Sequence, residues 1–180
     1  MMRQDGFTLI ELLTTIGIAV LLISMAVPSM QTFSQNSRQT AAVNDLISAL
    51  HLARNTAITT NTRVTVCPSA NATSCQAVGW DKGFIAFLDR DSDQTVDADE
   101  AIIRTGSARD AMSISSGDYP DFLMYRPNGR VMRAAVGQNT GEFSACDSRG
   151  PDHGKLIQID LSGRPSVLDV KADGVSVSCY

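Results

Sequence analysis

A run of apolar residues near the N-terminus limits what this chain can fold into more than any other feature. Almost every residue from Leu9 to Val27 is apolar, and the run follows a short polar start that carries Arg3. A helix over residues 7–27 would be about 30 Å long, which matches the hydrocarbon thickness of a bilayer. The sequence therefore predicts a helix that crosses a membrane and anchors the rest of the chain.

A cleaved secretory signal peptide would also begin with a charge and an apolar run. The run here is longer than the core of such a peptide, and no small-x-small site closes it. It also contains Glu11, a carboxylate that is costly in lipid and is expected to have a function. If the chain is cut between Gly6 and Phe7, the helix dipole disfavours the new amine, and Glu11 one turn later is its expected partner.

The segment Gly6–Leu13, with the sequence GFTLIELL, resembles the leader signal of type IV prepilins and type II secretion pseudopilins. The resemblance implies that a prepilin peptidase cuts between Gly6 and Phe7 and that the amine of Phe7 is then N-methylated. It also implies that Glu11 is the acidic residue needed for entry into a filament. The expected location is the bacterial inner membrane, with one membrane pass and a periplasmic globular domain, before incorporation into a pilus or pseudopilus.

Beyond the apolar run the hydrophobic pattern changes twice. Pro28 lacks a backbone donor and is predicted to kink or interrupt the helix. Apolar residues then recur at helical spacing from about residue 34 to residue 59, which predicts an amphipathic helix. After Thr60 the pattern alternates with a period of two, and turn residues separate short apolar runs, of which Val175–Cys179 is the last.

These patterns predict an α+β fold of the type IV pilin kind. A long N-terminal helix, transmembrane in its first half and amphipathic in its second, packs on an antiparallel β-sheet domain. The length of 180 residues suits one modest domain plus an anchor. The predicted parts are a leader peptide 1–6, a transmembrane and filament-core helix 7–28, an amphipathic helix 29–60 that continues into the globular domain, and a β-rich domain 61–180.

The order of short motifs through the rest of the chain resembles the GspH/FimT group of minor pilins and pseudopilins. The motifs are Leu46 and Leu50 on the helix, Gly79-Trp80, Asn128-Gly129, Cys146-Asp147 and Ser162-Gly163-Arg164. The resemblance implies a non-enzymatic subunit of the FimT/FimU kind that primes or caps a type IV pilus and contacts other minor and major pilins. The same resemblance allows two alternatives: a minor pseudopilin of a type II secretion system, and a DNA-binding pilin for natural transformation.

The four cysteines are Cys67, Cys75, Cys146 and Cys179. An even number in a short chain with an export-type N-terminus favours disulfides formed in an oxidising compartment. Three pairings exist. We favour Cys67–Cys75, which closes a short loop, together with Cys146–Cys179, which ties the end of the chain back to the domain. Structural zinc is disfavoured because no spacing is of the Cys-x-x-Cys type.

An acidic segment at residues 89–100, with the sequence DRDSDQTVDADE, resembles a calcium-binding loop. Oxygen side chains stand at loop positions one, three, five, nine and twelve, namely Asp89, Asp91, Asp93, Asp97 and Glu100. Position six is Gln94 where a tight turn favours glycine, and the flanking elements are predicted strands, so a solvated acidic turn is the alternative. We expect no obligatory cofactor, with Ca²⁺ as the one candidate.

Binding to DNA has a weaker basis in the sequence. Some FimT-like pilins bind DNA through a basic C-terminal region with a Gly-Arg-x-Arg motif, but Gly163-Arg164 is followed here by proline and serine. Phosphate binding needs clustered cations. The formal net charge of −4 argues against a broadly basic surface. The candidate DNA contacts are Arg149, Lys155, Arg164 and Lys171.

Catalysis is not expected. The chain has two histidines, His51 and His153, which fall in different predicted elements. No Gly-x-Ser-x-Gly nucleophile motif accompanies them. The sequence therefore predicts a structural protein rather than an enzyme.

Overall fold

A single helix, α1, spans Leu9–Thr60 in the computed structural model, which describes residues 8–132, 139–170, 174 and 177–179. The Oγ1 of Thr8 caps its start by accepting a hydrogen bond from the backbone N–H of Glu11 at 3.3 Å. Pro28 lies inside α1, so the prediction of an interruption there is wrong. Proline removes only one i→i−4 bond, and the helical bonds on both sides continue. A kink at Pro28 stays a prediction.

The chain divides into two compact units, Met1–Arg38 and Gln39–Tyr180. In the second unit α1 is amphipathic, as its periodicity predicts. The buried residues of α1 recur at helical spacing; they are Gln39, Ala42, Val43, Leu46, Ala49, Leu50, Ala53 and Ala57. This stripe, in which alanine is frequent, is part of the hydrophobic core of the second unit.

In the described part of the second unit, nine antiparallel strands form two sheets. They are β1 Val64–Pro68, β2 Gly83–Leu88, β3 Ile102–Ser107, β4 Met112–Ser115, β5 Leu123–Tyr125, β6 Val131–Met132, β7 Gly141–Asp147, β8 Lys155–Ile159 and β9 Pro165–Asp169. One sheet has the order β3-β2-β1-β5-β6 and the other β4-β7-β8-β9. Short 3-10 helices occupy Trp80–Lys82 and Pro151–His153. The predicted α+β fold with antiparallel sheets is confirmed.

Aromatic side chains connect the two sheets within one hydrophobic core that also includes α1. The Trp80 ring meets the Phe143 ring of β7 edge to face, with centroids 5.0 Å apart. The Tyr119 ring stacks against the same Phe143 ring, with centroids 5.4 Å apart. The indole N–H of Trp80 donates to the backbone carbonyl of Tyr119 at 2.9 Å, so the one polar atom of this buried ring is satisfied.

The predicted last strand, Val175–Cys179, is wrong for its described residues. Residues 177–179 carry no strand, and residues 175–176 lie outside the described part. Val177 is buried beside Cys146 and Leu156 in a small separate cluster. The apolar character of this segment therefore reflects packing against the domain rather than pairing in a sheet.

Candidate functional site

The first half of α1 presents a predominantly apolar surface. Its large apolar side chains are 48–79% exposed from Leu9 to Val27. An 18-residue window of the helix has a mean hydropathy of 2.3, which makes it long and apolar enough to cross a membrane by length and composition. Gly6 and Phe7, the predicted cleavage and methylation site, lie outside the described residues.

Glu11 differs from the other polar residues of this surface in its hydrogen-bonding capacity. The hydroxyls of Thr14, Thr15 and Ser24 each donate to the helix carbonyl three residues earlier, at 3.0, 2.9 and 2.8 Å. Their polarity is thus satisfied within the helix. A carboxylate only accepts hydrogen bonds, so helix carbonyls cannot satisfy Glu11. Its partner has to be a donor or a cation supplied from elsewhere.

Both favoured disulfides are present in the structure. Cys67 at the end of β1 is joined to Cys75, with the two Cα atoms 5.5 Å apart. Cys146 on β7 is joined to Cys179, with the Cα atoms 5.9 Å apart. The first bond closes a loop of the sheet that contains β1, and the second fixes the described end of the chain to the other sheet.

The second half of α1 is tied to the β3 region by an ion cluster. Asp45 accepts hydrogen bonds from Arg104 at 2.7 Å and from Arg109 at 2.8 Å, one through each carboxylate oxygen. Burial alone would raise the pKa of the Asp45 carboxyl. The hydrogen bonds and positive charges of the two arginines outweigh burial and hold that pKa below its ordinary value of 3.8.

The acidic loop between β2 and β3 brings three of its five predicted ligands together. Carboxylate oxygens of Asp89, Asp91 and Asp93 lie within 4.8 Å of one another. Asp97 and Glu100 lie outside this group. The Glu100 carboxylate instead accepts a hydrogen bond from the backbone N–H of Arg90 at 2.7 Å.

The surroundings of Asp97 disfavour the ionised form of its carboxyl. Desolvation raises the pKa of its carboxyl above the ordinary value of 3.8, and repulsion from the neighbouring aspartates Asp93, Asp91, Asp99 and Asp89 raises it further. The loop is therefore a concentration of negative charge that a cation would relieve.

The predicted DNA contacts do not form one basic patch among the described residues. The Arg149 guanidinium is paired with Asp147, with Nη2 to Oδ2 at 2.5 Å. Lys155 begins β8 while Arg164 follows its other end, because the register pairs Lys155 with Asp169 and Ile159 with Pro165. At about 3.3 Å per residue, the backbone positions at the two ends of β8 are about 13 Å apart. Lys171 lies outside the described residues.

Arg54 connects α1 to two turns, which sequence reasoning did not find. Its Nε donates to the Gly129 carbonyl at 3.1 Å and its Nη2 to the Ser162 carbonyl at 3.2 Å. The two turns also touch each other, since a Cβ on Gly163 would lie 2.0 Å from the Gly129 oxygen. The Asn-Gly and Ser-Gly pairs signal each turn separately, but nothing local in the sequence signals their contact.

Two family matches cover most of the chain. The family described as type II transport protein GspH matches residues 42–163. The prokaryotic N-terminal methylation motif matches residues 1–27, which include the exposed apolar surface of α1. We find no curated protein with a significant sequence match to this chain.

Two crystal forms of one solved structure show the same fold at low sequence identity. The type IV minor pilin FimU of Pseudomonas aeruginosa in one crystal form superposes with a TM-score of 0.63 at 18% identity, covering 82% of this chain and 99% of FimU. A second crystal form of FimU gives 0.59 at 19% identity, with 78% and 99% coverage. The minor pseudopilin EpsH of the Vibrio cholerae type 2 secretion system gives 0.48 at 11% identity, with 72% and 94% coverage.

Proposed function

We propose that this chain, which belongs to the GspH family of minor pilins and pseudopilins, is a minor type IV pilin that primes or caps a pilus. The observation that carries the proposal is the coincidence of the N-terminal methylation motif with an apolar helical surface that the described chain leaves uncovered. Such a surface needs lipid before assembly and neighbouring helices afterwards. The protein works by assembly, without catalysis.

The proposed maturation begins with a prepilin peptidase that cuts between Gly6 and Phe7, after which the amine of Phe7 is methylated. The new N-terminus carries a positive charge at the positive end of the α1 dipole. Glu11 lies one turn away and supplies the compensating carboxylate, within one subunit or to the amine of a neighbour. A pair between neighbours also fixes the stagger of the helices in the filament.

The proposed location is the inner membrane, with the domain 61–180 in the periplasm and the partners being other minor and major pilins. Cys67–Cys75 and Cys146–Cys179 support this location, because disulfides form and persist in oxidising compartments such as the periplasm.

The role of Glu11 is tested by replacing it with alanine. Processing by the peptidase should remain intact because Glu11 lies beyond the cut. Incorporation should fall at least tenfold, because the loss of one partly buried ion pair costs on the order of the free energy of a tenfold change. Processing is read from the size shift of the mature protein, and incorporation from the amount of this subunit in sheared pili. Ser24→Ala is the matched control, since it removes a polar group of the same helix whose hydrogen bond is internal. Normal incorporation of Glu11→Ala would remove the proposed role.

A minor pseudopilin of a type II secretion system is the second candidate, and the description of the matched family, type II transport protein GspH, is compatible with it. The two candidates share the leader and the fold, so they differ in what is lost without the protein. Deletion should abolish surface pili if the protein primes a pilus, and should retain folded exoproteins in the periplasm if it belongs to a secretion system. Measuring both phenotypes in one deletion strain separates the candidates.

A further inference from the structure

The loop between β2 and β3 contains a buried carboxylate oxygen that lacks a partner. Asp89 is fully buried, and its Oδ2 accepts a hydrogen bond from the Oγ1 of Thr65 on β1 at 2.6 Å. Its Oδ1 is also buried and has no hydrogen-bond partner among the described residues. An unpaired buried acceptor on a charged group is costly, which is why buried charges are paired or coordinate metals.

Two exposed carboxylates converge on this buried one. Asp91 and Asp93 each place an oxygen within 4.8 Å of the other and of an oxygen of Asp89. Three like charges so close repel one another unless a cation lies between them. The close approach of the three carboxylates and the unpaired Oδ1 of Asp89 are independent observations. The first concerns the exposed groups of Asp91 and Asp93, and the second concerns a buried atom.

The neighbouring arginines do not supply that cation. Arg63 donates through Nη1 to the hydroxyl of Ser92 at 2.7 Å. Nη1 of Arg90 lies 3.9 Å from the carboxylate of Asp99, outside the group of three. Asp89 therefore has no ion pair with either guanidinium in the described part of the chain.

We propose that Asp89, Asp91 and Asp93 bind a calcium ion. All the converging ligand atoms are carboxylate oxygens, which suit hard cations, and Ca²⁺ accepts six to eight oxygens in flexible geometry. Mg²⁺ demands near-ideal octahedral geometry and is disfavoured by ligands from a loop. With three carboxylates and the remaining positions left to water, the expected dissociation constant is about 10⁻⁴ to 10⁻³ M, the range of extracellular calcium modules.

Glu100 has a positioning role in this proposal. Its carboxylate accepts from the backbone N–H groups of Arg90 and Asp97, at 2.7 and 3.4 Å, and so holds the two ends of the loop together. Gln94 adopts a left-handed conformation with φ of 64°, at the loop position where a tight turn favours glycine. The chain thus makes the required turn without glycine.

Thermal unfolding of the full-length protein in detergent micelles tests the site. After chelator treatment, CaCl₂ is added up to about 20 mM, which is more than ten times the highest dissociation constant expected. NaCl at matched ionic strength corrects for screening of the acidic surface. The unfolding temperature of the wild type should rise by several degrees with Ca²⁺ beyond the NaCl control, because a ligand that binds only the folded state stabilises it.

The double variant Asp91→Asn/Asp93→Asn removes two exposed ligands and leaves the buried Asp89–Thr65 hydrogen bond intact. It should bind Ca²⁺ at least tenfold more weakly, so its rise in unfolding temperature at about 20 mM CaCl₂ should be smaller than that of the wild type by a few degrees. Asp99→Asn is the matched control, because it removes one charge from the same loop outside the group, and it should keep the shift. No shift in the wild type, an undiminished shift in the double variant, or an equal shift with MgCl₂ would each overturn the proposal.

Discussion

Gly163 lies where two turns meet, and replacing it with alanine tests how tightly the structure packs them. Its φ of 78° is in the left-handed region. An added Cβ would lie 2.0 Å from the Gly129 carbonyl oxygen and 3.0 Å from the Cα of Arg130. Both neighbours are backbone atoms, so a side-chain rotation cannot relieve the contact. The turns have to separate, and Arg54, which donates to Gly129 and Ser162, loses its geometry.

The expected cost has two parts. The left-handed conformation costs an alanine about 1–2 kcal/mol. Forcing a methyl group into a packed site costs about 1–3 kcal/mol more. Gly163→Ala should therefore lower the free energy of unfolding by about 2–5 kcal/mol. For a chain of this size that lowers the unfolding temperature by about 4–20 °C, at about 2–4 °C per kcal/mol.

Gly150→Ala separates the two parts. Gly150 has φ of 85° and ψ of −170°, a region that is essentially reserved for glycine. Apart from the glycine and its chain neighbours, no atom of the described residues lies within 4 Å of its added Cβ, so this variant carries backbone strain without the clash. Differential scanning calorimetry of both variants in micelles should show the larger loss for Gly163→Ala. An equal or smaller loss than that of Gly150→Ala would refute the argument from backbone contact.

Two further predictions concern the attachment of α1 and the core. Asp45→Asn removes the ion pairs to Arg104 and Arg109 and should lower the free energy of unfolding at pH 7 by about 1–2 kcal/mol, reduced by the partial exposure of both arginines. The pKa of Asp45 in the folded protein is below its ordinary value. The ionised carboxylate therefore contributes its full stabilisation at a pH above the ordinary pKa, and this stabilisation is lost as the pH falls through the pKa of the folded state. The difference between variant and wild type in urea titrations should therefore shrink below about pH 4, and a constant difference would contradict the assignment. Trp80→Phe removes the hydrogen bond from the indole N–H to the Tyr119 carbonyl and should cost about 1–3 kcal/mol by the same titration, whereas a neutral result would show that this hydrogen bond does not stabilise the core.

Local patterns in the sequence predict the elements well. The stripe that includes Leu46 and Leu50 is the buried face of α1, because helical periodicity and burial express the same geometry. Asn128-Gly129, a pair typical of hairpin turns, forms a turn in which the N–H of Gly129 donates to the Arg126 carbonyl at 2.8 Å. These features depend on residues close together in the chain, which is why they can be derived without the fold.

Contacts between distant residues are not predicted by these patterns. The separation into two sheets depends on the pairing of β1 with β5, and Val64 and its partner Tyr125 are far apart in the sequence. In the sequence pattern Asp45 is an ordinary polar position off the apolar stripe of the helix, and only the fold places Arg104 beside it. The buried state of Asp89 is likewise a property of its contact with β1, whereas its place in an acidic loop is visible in the sequence.

The central claim is that this protein is an assembly subunit needed to start a pilus, and counting surface pili by electron microscopy tests it most directly. A strain that lacks the gene should lose its pili, and the wild-type gene should restore them. Glu11→Ala should fail to restore them although the protein is processed. Pili in normal number on the deletion strain would contradict the claim.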